Sequence, residues 1–408
     1  MEMLKIFLTL LLQQLCIGVL SKKTSGFYIE NEFNQTVLLE FLTPDIELQV
    51  KENILRILDI EKPQIQQKMS LIKNSSAHTF LMEVYNLLND NNVYNLIDLN
   101  LQSELFDITI EAVNSYMKES NIIISLISHE AIIPNITKMK TKKFINLWFN
   151  LTTISSQDQL INAELKIYRR IRNVLPMYKG PITIKIYRIS NLNEGEKKEE
   201  IFINSIRVIE AGWITLNITK TLNYWIQNPN ENHGLTIKIH SDKQVKEIDP
   251  KKFGIVGLEE NNQEKSPFMV GYFQRASDNR KKLNLSLLNF QSFDENKIRD
   301  KRTISLCRKE NLYVDFHDLN WQDWMIIPRG YSANFCSGEC QFPIKSEMFA
   351  TNHAVIQLMV NLNDPSKVPR PCCAPSKLTP ISLIYLIDNK TYVLKTKKDM
   401  SIESCACH

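Results

Sequence analysis

The sequence predicts two differently built parts in one chain. The N-terminal part is α+β, a helical arm ahead of a β-rich body, and the C-terminal part is a small disulfide-rich β fold. Three observations carry this. Of the eight cysteines in 408 residues, Cys16 stands alone near the start, and Cys307, Cys336, Cys340, Cys372, Cys373, Cys405 and Cys407 crowd into the end. Residues 22–302 contain no cysteine, so the two parts are stabilised by different means. Within that cysteine-free stretch the apolar pattern changes near residue 121, from helical spacing to short β-branched and aromatic runs.

The first element is a leader. Met1-Glu2-Met3-Leu4-Lys5 is followed by the apolar run Ile6 to Leu20, with small Ser21 as the cleavage position, so residues 1–21 read as a secretory signal peptide. Gln13 and Gln14 interrupt a run already short for a membrane span. The expected location is extracellular, where disulfides are the default state of cysteines. Asn-x-Ser/Thr sequons at Asn34, Asn74, Asn135, Asn150, Asn217, Asn284 and Asn389 are candidate glycan acceptors in that compartment. A formal net charge of +4 excludes nucleic acid as the main partner.

The helical arm, about residues 40–120, is read from Ile46 to Ile60, where Leu48, Ile54, Leu55 and Leu58 fall along one side and Pro63 stops the helix. A second helix runs through Thr79 to Leu88. The β-rich body, about residues 121–274, contains the runs Asn121–Leu126, Phe144–Leu151, Leu160–Tyr168, Ile182–Ile189 and Leu235–Ile239.

A linker, about residues 275–302, ends in Arg299-Asp300-Lys301-Arg302. Basic residues at its first, third and fourth positions suit the acidic pocket of a furin-type convertase, so cleavage is expected after Arg302. A weaker site lies upstream at Arg275 to Lys282. If these basic segments stay attached, Arg280 to Lys282 and Lys297 to Arg302 are candidate heparan sulfate contacts.

Residues 303–408 form the last part. Asn311–Phe316, Ile381–Leu386 and Thr391–Lys395 read as strands, with a hairpin turn at Asp388-Asn389-Lys390. Glu347–Val360 reads as the one helix, with Ala354, Val355, Leu358 and Met359 on one side. Its seven cysteines leave one without an internal partner, the pattern of three internal bridges and one between chains. If Cys336 joins Cys405 and Cys340 joins Cys407, the two short segments close a ring that a Cys307–Cys373 bridge can thread, a cystine knot. Gly338 then sits where a β-carbon would crowd the threading bridge. Spacing alone leaves fifteen connectivities for any six of these cysteines. A zinc site on Cys-x3-Cys and Cys-x-Cys-His is the competing reading, disfavoured by spacing and compartment.

The stretches LYVDFHDLNWQDWMIIPRGYSANFCSGECQFPI, ATNHAVIQLMV, VPRPCCAPSKLTPISLIYL and ESCACH closely resemble the ligand domain of bone morphogenetic proteins, within the transforming growth factor beta superfamily. INAELKIYRR, GWITLNITKTLNYWIQNPN and SPFMVGYFQ resemble the propeptide of the same family, nearest the glass-bottom-boat branch. The resemblance implies a fold of two β fingers, one helix and the cystine knot, with bridges Cys307–Cys373, Cys336–Cys405 and Cys340–Cys407. It also implies a dimer joined through Cys372, either with itself or with a related ligand.

Two receptor surfaces are implied as well. The type I surface would use Trp321 and Trp324 of one subunit with Phe342, Pro343, Ile344, Asn352 and His353 of the other. The two Trp side chains are expected at the surface, because a centre filled by disulfides leaves them little core to enter, with a structural cover over the finger strands as the alternative. The type II surface would use Ile327, Pro328, Ser382 and Leu394. The helix around Ile54 to Leu58 resembles a propeptide segment that competes at the type I surface.

The chain departs from the family in places. Ile327 stands where a small Ala is usual, which adds contact or costs about 1 to 3 kcal/mol if a partner cannot adapt. Phe349-Ala350-Thr351 replaces a glycan acceptor, Asn389-Lys390-Thr391 creates one, and Ala406 replaces a frequent Gly.

The function implied is a secreted growth factor precursor whose dimer brings together type I and type II serine/threonine kinase receptors and activates Smad proteins. Its own propeptide and extracellular antagonists are the further implied partners. The alternative is a cystine-knot antagonist of such ligands. An enzyme is disfavoured, since His317, His353 and His408 have no nucleophile pattern near them and no Gly-x-Ser-x-Gly or His-Glu-x-x-His occurs. No cofactor and no metal are expected.

Overall fold

The computed structural model describes residues 26–30, 36–41, 43–58, 60, 75–89, 106, 110–130, 144–156, 158–172, 174–190, 199–241, 249–257, 260–275, 306–388 and 390–408. The chain forms two compact units, residues 1–62 with 278–303, and residues 63–277 with 304–408.

In the first unit, β1 (Gly26–Glu30) pairs antiparallel with β2 (Thr36–Phe41). Helix α1 (Pro44–Ile57) follows, with Pro44 in its first turn and Thr43 as cap, its hydroxyl accepting from the Ile46 amide at 3.4 Å. Of the apolar residues expected along one side, Leu55 is buried and Leu58 half-buried, whereas Leu48 is 53 % and Ile54 41 % exposed. The expected stop at Pro63 lies outside the described residues.

The second unit begins with α2 (Ser76–Asn89) and α3 (Ile110–Glu119), which precede the body strands. These are β3 (Ile122–Ile127), β4 (His129–Glu130), β5 (Ile145–Trp148), β6 (Gln159–Arg169), β7 (Ile182–Ser190), β8 (Glu199–Val208) and β9 (Gly212–Asn217). Helix α4 (Thr219–Gln227), β10 (Leu235–Ser241) and β11 (Phe268–Gln274) complete the body. In the C-terminal part come β12 (Arg308–Glu310), β13 (Tyr313–Asp315), β14 (Met325–Ile327), β15 (Gly330–Ser332) and β16 (Phe335–Ser337). Helix α5 (Asn352–Asn363) and the long strands β17 (Cys373–Asp388) and β18 (Thr391–Cys407) end the chain.

Two larger sheets result. One has the order β4-β5-β10-β7-β8 and the other β14-β17-β18-β3-β11-β6-β9. The second runs without a break from C-terminal strands into body strands. Strand β18 pairs antiparallel with β3, Thr391 opposite Leu126 through Lys395 opposite Ile122. Strand β3 suits a central place: IIISLI is apolar at nearly every position and its first five residues are buried. The composition boundary near residue 302 is therefore no boundary of the core in the precursor. One apolar cluster unites Ala77, Phe80, Leu81 and Val84 of α2 with Ile123, Phe268 and Val270 of the body and Ile384, Leu386, Tyr392 and Leu394 of the C-terminal strands.

Two polar anchors shape the body. Arg169 is fully buried and its guanidinium donates to the carbonyls of Gly180 (2.9 Å), Ile209 (3.0 Å), Val208 (3.2 Å) and Phe253 (3.3 Å). This ties three loops to the end of β6. Arg275 forms a two-pronged pair with the buried Asp158 carboxylate at 2.5 and 2.6 Å, which fixes the point where the chain leaves the body.

Helix α5 starts later than Glu347. A short 3₁₀ turn, Ser346–Met348, ends at Phe349, whose φ of 45° is left-handed and breaks the helix. Thr351 then caps the new start by accepting from the Ala354 amide at 3.1 Å. On the expected side, Ala354 and Leu358 are buried, but Met359 is 59 % exposed, as are Ile356 (59 %) and Leu362 (54 %). Among the described residues no helix is long and apolar enough to cross a membrane.

Candidate functional site

Disulfides hold the C-terminal part together. Bridges join Cys307 to Cys373, Cys336 to Cys405 and Cys340 to Cys407, with Cα separations of 5.4, 5.8 and 5.9 Å. These distances lie within the usual disulfide range. Register assists: β17 and β18 place Cys373 opposite Cys407. Gly338 has φ of 104°, a conformation L side chains rarely adopt, within the ring between Cys336 and Cys340. Met348 and Ala354 pack on this sulfur core. The sulfurs of Cys307, Cys340 and Cys407 lie close enough to suggest a metal cluster, but each is in a disulfide and offers no thiolate. Cys372 is unpaired and exposed, next to a backbone ladder in which Cys372 and His408 exchange hydrogen bonds at 2.8 and 3.0 Å.

The residues expected at a type I surface are split by exposure. Phe342 is 67 % exposed, Pro343, Asn352 and His353 are exposed, and Ile344 is half-buried. Trp321 and Trp324 correct the expectation of surface aromatics, because each is only 7 % exposed. They do find a core, an aromatic row separate from the sulfurs. Tyr331 meets Phe316 (5.9 Å between centroids), Phe316 meets Trp321 (5.6 Å), Trp321 meets Trp324 (5.5 Å) and Trp324 meets Tyr385 edge-on (6.0 Å).

The residues expected at a type II surface lie on β14, β17 and β18. Leu394 is fully buried in this chain, because its strand pairs with β3 and its side chain enters the cluster shared with α2. Ile327 is half-buried and packs against the same cluster. Pro328 and Ser382 are half-buried, and the Ser382 hydroxyl lies 3.1 Å from that of Thr396.

The cover on the finger strands is what sequence reasoning missed. Helix α2 lies on β17 and β18, and β3 adds a strand to their edge. Polar contacts specify the fit. The Ser75 hydroxyl donates to the Tyr392 hydroxyl at 2.9 Å, and burial pushes that phenol up to about 12. At the fingertip the Lys390 ammonium lies 3.2 Å from Nδ1 of His129, whose ring meets Trp148 edge-on at 5.5 Å. Burial, helped by the Lys390 charge and opposed by Asp388, holds the His129 pKa below its ordinary value. The run IIISLI, apolar at every position but Ser125, was the available signal for a strand flanked on both edges.

Of the sequons, Asn150 and Asn217 are described. The Asn150 carboxamide oxygen accepts from the Thr152 amide and hydroxyl at 3.2 and 2.9 Å, while exposed Asn217 donates to Asn162 at 3.1 Å. Asn34, Asn74, Asn135, Asn284 and Asn389 lie outside the described residues, as do residues 1–21 and Arg299, Lys301 and Arg302.

The comparisons with known proteins match two stretches of the chain. The family described as TGF-beta propeptide matches residues 31–272, and the transforming growth factor beta like domain matches residues 306–407. The chain belongs to the transforming growth factor beta superfamily. It is a bone-morphogenetic-protein-like precursor of that superfamily's secreted ligands, and not an enzyme. It is similar to Protein 60A of Drosophila virilis, 31 % identical over 94 % of each chain. Protein 60A of Drosophila melanogaster is 30 % identical over 94 % of this chain and 92 % of the relative. The Protein DVR-1 homolog of Strongylocentrotus purpuratus is 32 % identical over 64 % of this chain and 60 % of the relative. Helix α2 and strand β3, which cover the fingers, lie within the residues that the propeptide family matches.

Proposed function

We propose that the chain enters the secretory path through residues 1–21, and that cleavage after Arg302 separates a propeptide, 22–302, from a growth factor domain, 303–408. The domain acts as a dimer joined through Cys372, formed with itself or a related ligand. It brings type I and type II receptor serine/threonine kinases together and so activates Smad proteins. Two copies of each surface on one rigid dimer turn weak contacts into avidity at a membrane.

The observation that carries the reading is the exposed thiol of Cys372 beside a completed set of internal bridges. A secreted module with every other cysteine paired has one cysteine left for a second chain. The covered fingers add a consequence. Ile327 and Leu394 pack in the cluster shared with α2, so the propeptide and a type II receptor compete for one surface.

The test is the intact mass of the secreted, deglycosylated product with and without reductant, followed by Smad phosphorylation in responsive cells. A species beginning at Thr303 that halves in mass on reduction and raises phosphorylation is expected. A cleaved species whose mass does not halve, or one that only lowers phosphorylation, would overturn the reading in favour of an antagonist.

A further inference from the structure

Helix α2 seats an apolar face on the fingers, yet it also carries Glu83 into the packed region. The Glu83 Oε1 is shielded from solvent and meets no hydrogen-bond donor. The charge that acts on this carboxyl is Lys166 of β6, and Lys166 is already engaged. Its ammonium lies 3.1 Å from Glu164 Oε2, donates to the Thr215 hydroxyl at 3.0 Å and sits 5.2 Å from the centroid of the Phe80 ring.

Lys166 is the charge that acts on Glu83, and the other titratable groups of this region have partners of their own. Tyr116 of α3 donates to Glu164 at 3.2 Å and stacks on Tyr272 of β11 at 4.5 Å, and burial keeps both phenols neutral. From the fingers come Tyr392, also neutral, and Lys395, which lies opposite Ile122 at the end of the β18–β3 pairing. His78, on α2 itself, faces the Tyr392 ring at 5.7 Å. Lys265, from the 3₁₀ turn Glu260–Lys265, lies over Tyr168. Lys166 thus pairs with Glu164 and only partly offsets the cost of a charge on Glu83, whose shielded Oε1 has no donor of its own.

We propose that Glu83 is a proton-operated latch on the helix that covers the fingers: protonated, it lets α2 stay seated on β17 and β18, and ionised, it drives the helix off. Burial pushes the Glu83 carboxyl up from 4.5 to about 7, against the opposing pull of Lys166. A raised folded-state pKa contributes stability that is fully present below the unfolded value and lost as pH rises through about 7. The ceiling on the change in opening between pH 6 and 8 is about tenfold. Because the carboxyl is only part-buried, solvent screening reduces this to about threefold to fivefold. The ligand would then stay covered in a mildly acidic compartment and loosen at a mildly alkaline one. That consequence for signalling rests on the reading of the fingers as a receptor surface, whereas the latch itself does not.

The experiment is hydrogen exchange on the full secreted chain, following amides of residues 76–89 and 391–395 at pH 6 and pH 8 after correction for intrinsic exchange. Opening is expected to rise about threefold to fivefold in wild type and to stay flat in Glu83→Gln, which keeps the shape and cannot ionise. An equal rise in Glu83→Gln, or none in wild type, overturns the latch. Should Glu83→Gln fail to be secreted, the wild-type profile decides: a step centred near 7 supports the latch and a flat profile overturns it. Binding of a type II receptor ectodomain, measured separately at both values of pH, tests the receptor reading. Failure there overturns that reading and leaves the exchange result standing.

Discussion

Phe80 is the side chain through which the seating of α2 can be most directly weakened. It is 1 % exposed, meets Phe106 edge-on and Phe268 at a tilt, both at 5.5 Å, and carries the Lys166 ammonium over its ring. Burial of a Phe side chain contributes about 1.5–3 kcal/mol. Each aromatic pair adds about 0.5–1.5 kcal/mol, and a desolvated cation over the ring about 1–2 kcal/mol. These contributions overlap, and Phe→Ala changes in cores cost about 3–5 kcal/mol altogether. At about 1.4 kcal/mol per decade, Phe80→Ala should raise the opening constant of α2 by about two to three and a half decades. The assay is co-elution of the propeptide with the growth factor domain after cleavage, together with amide exchange across residues 391–395. The disulfide core of the domain lies in a separate cluster and should keep its three bridges. Unchanged co-elution, or less than about a tenfold rise in opening, would refute the claim that the shared cluster holds the propeptide on the fingers.

Replacing Arg169 by Met strands the four carbonyls that its guanidinium satisfies and should lower stability by about 3 kcal/mol or more, seen as a lower denaturant midpoint or as failed secretion. Gly338→Ala forces a β-carbon onto φ of 104°, so knot formation should fall by a cost of at least about 1–2 kcal/mol, read as misbridged species in non-reducing maps. The His129 pKa lies below its ordinary 6.5, so its contribution is present above that value and is lost as pH falls through the depressed one. Acid should therefore loosen the fingertip, with faster exchange of the Ile127 amide that binds the Lys390 carbonyl, and His129→Gln should flatten the response.

The sulfur core was legible because the family resemblance chose one pairing among the fifteen that cysteine spacing alone leaves open. The body strands were legible where alternation was clean: Ile182–Ile189 alternates apolar and polar, and its strand buries every second residue over most of its length. Strand β8 alternates too, but it sits at a sheet edge with Phe202 55 % exposed, so no buried face marks it out. Helix α5 was placed too early because nothing in Glu347-Met348-Phe349 announces a left-handed residue, although Thr351 three residues before Ala354 was a readable cap. Trp321 and Trp324 were misjudged by assuming that a disulfide centre is the whole core. Their partners, Phe316, Tyr331 and Tyr385, are scattered through the sequence and meet only after the strands pair. The burial of Leu394 was illegible for a related reason: it depends on β3, more than 260 residues earlier in the chain.

That long-range pairing bears on how one surface can serve two partners. Strand β18 presents the backbone of Thr391 to Lys395 to β3, and an edge of this kind, once uncovered, is open to any strand that fits. Ile384, Leu386, Tyr392 and Leu394 pack in the same cluster and would lose their α2 cover as the helix departs. A patch this apolar is unfavourable in water, so on the proposed function release of the propeptide and engagement of a receptor would be thermodynamically linked rather than independent events. Any residue that contacts both partners then affects the two affinities together, and Ile327, packed at the margin of the cluster, is placed to do so. On the proposed function, a larger side chain there would strengthen the cover as well as the later contact, and receptor preference would be set by the difference between the two.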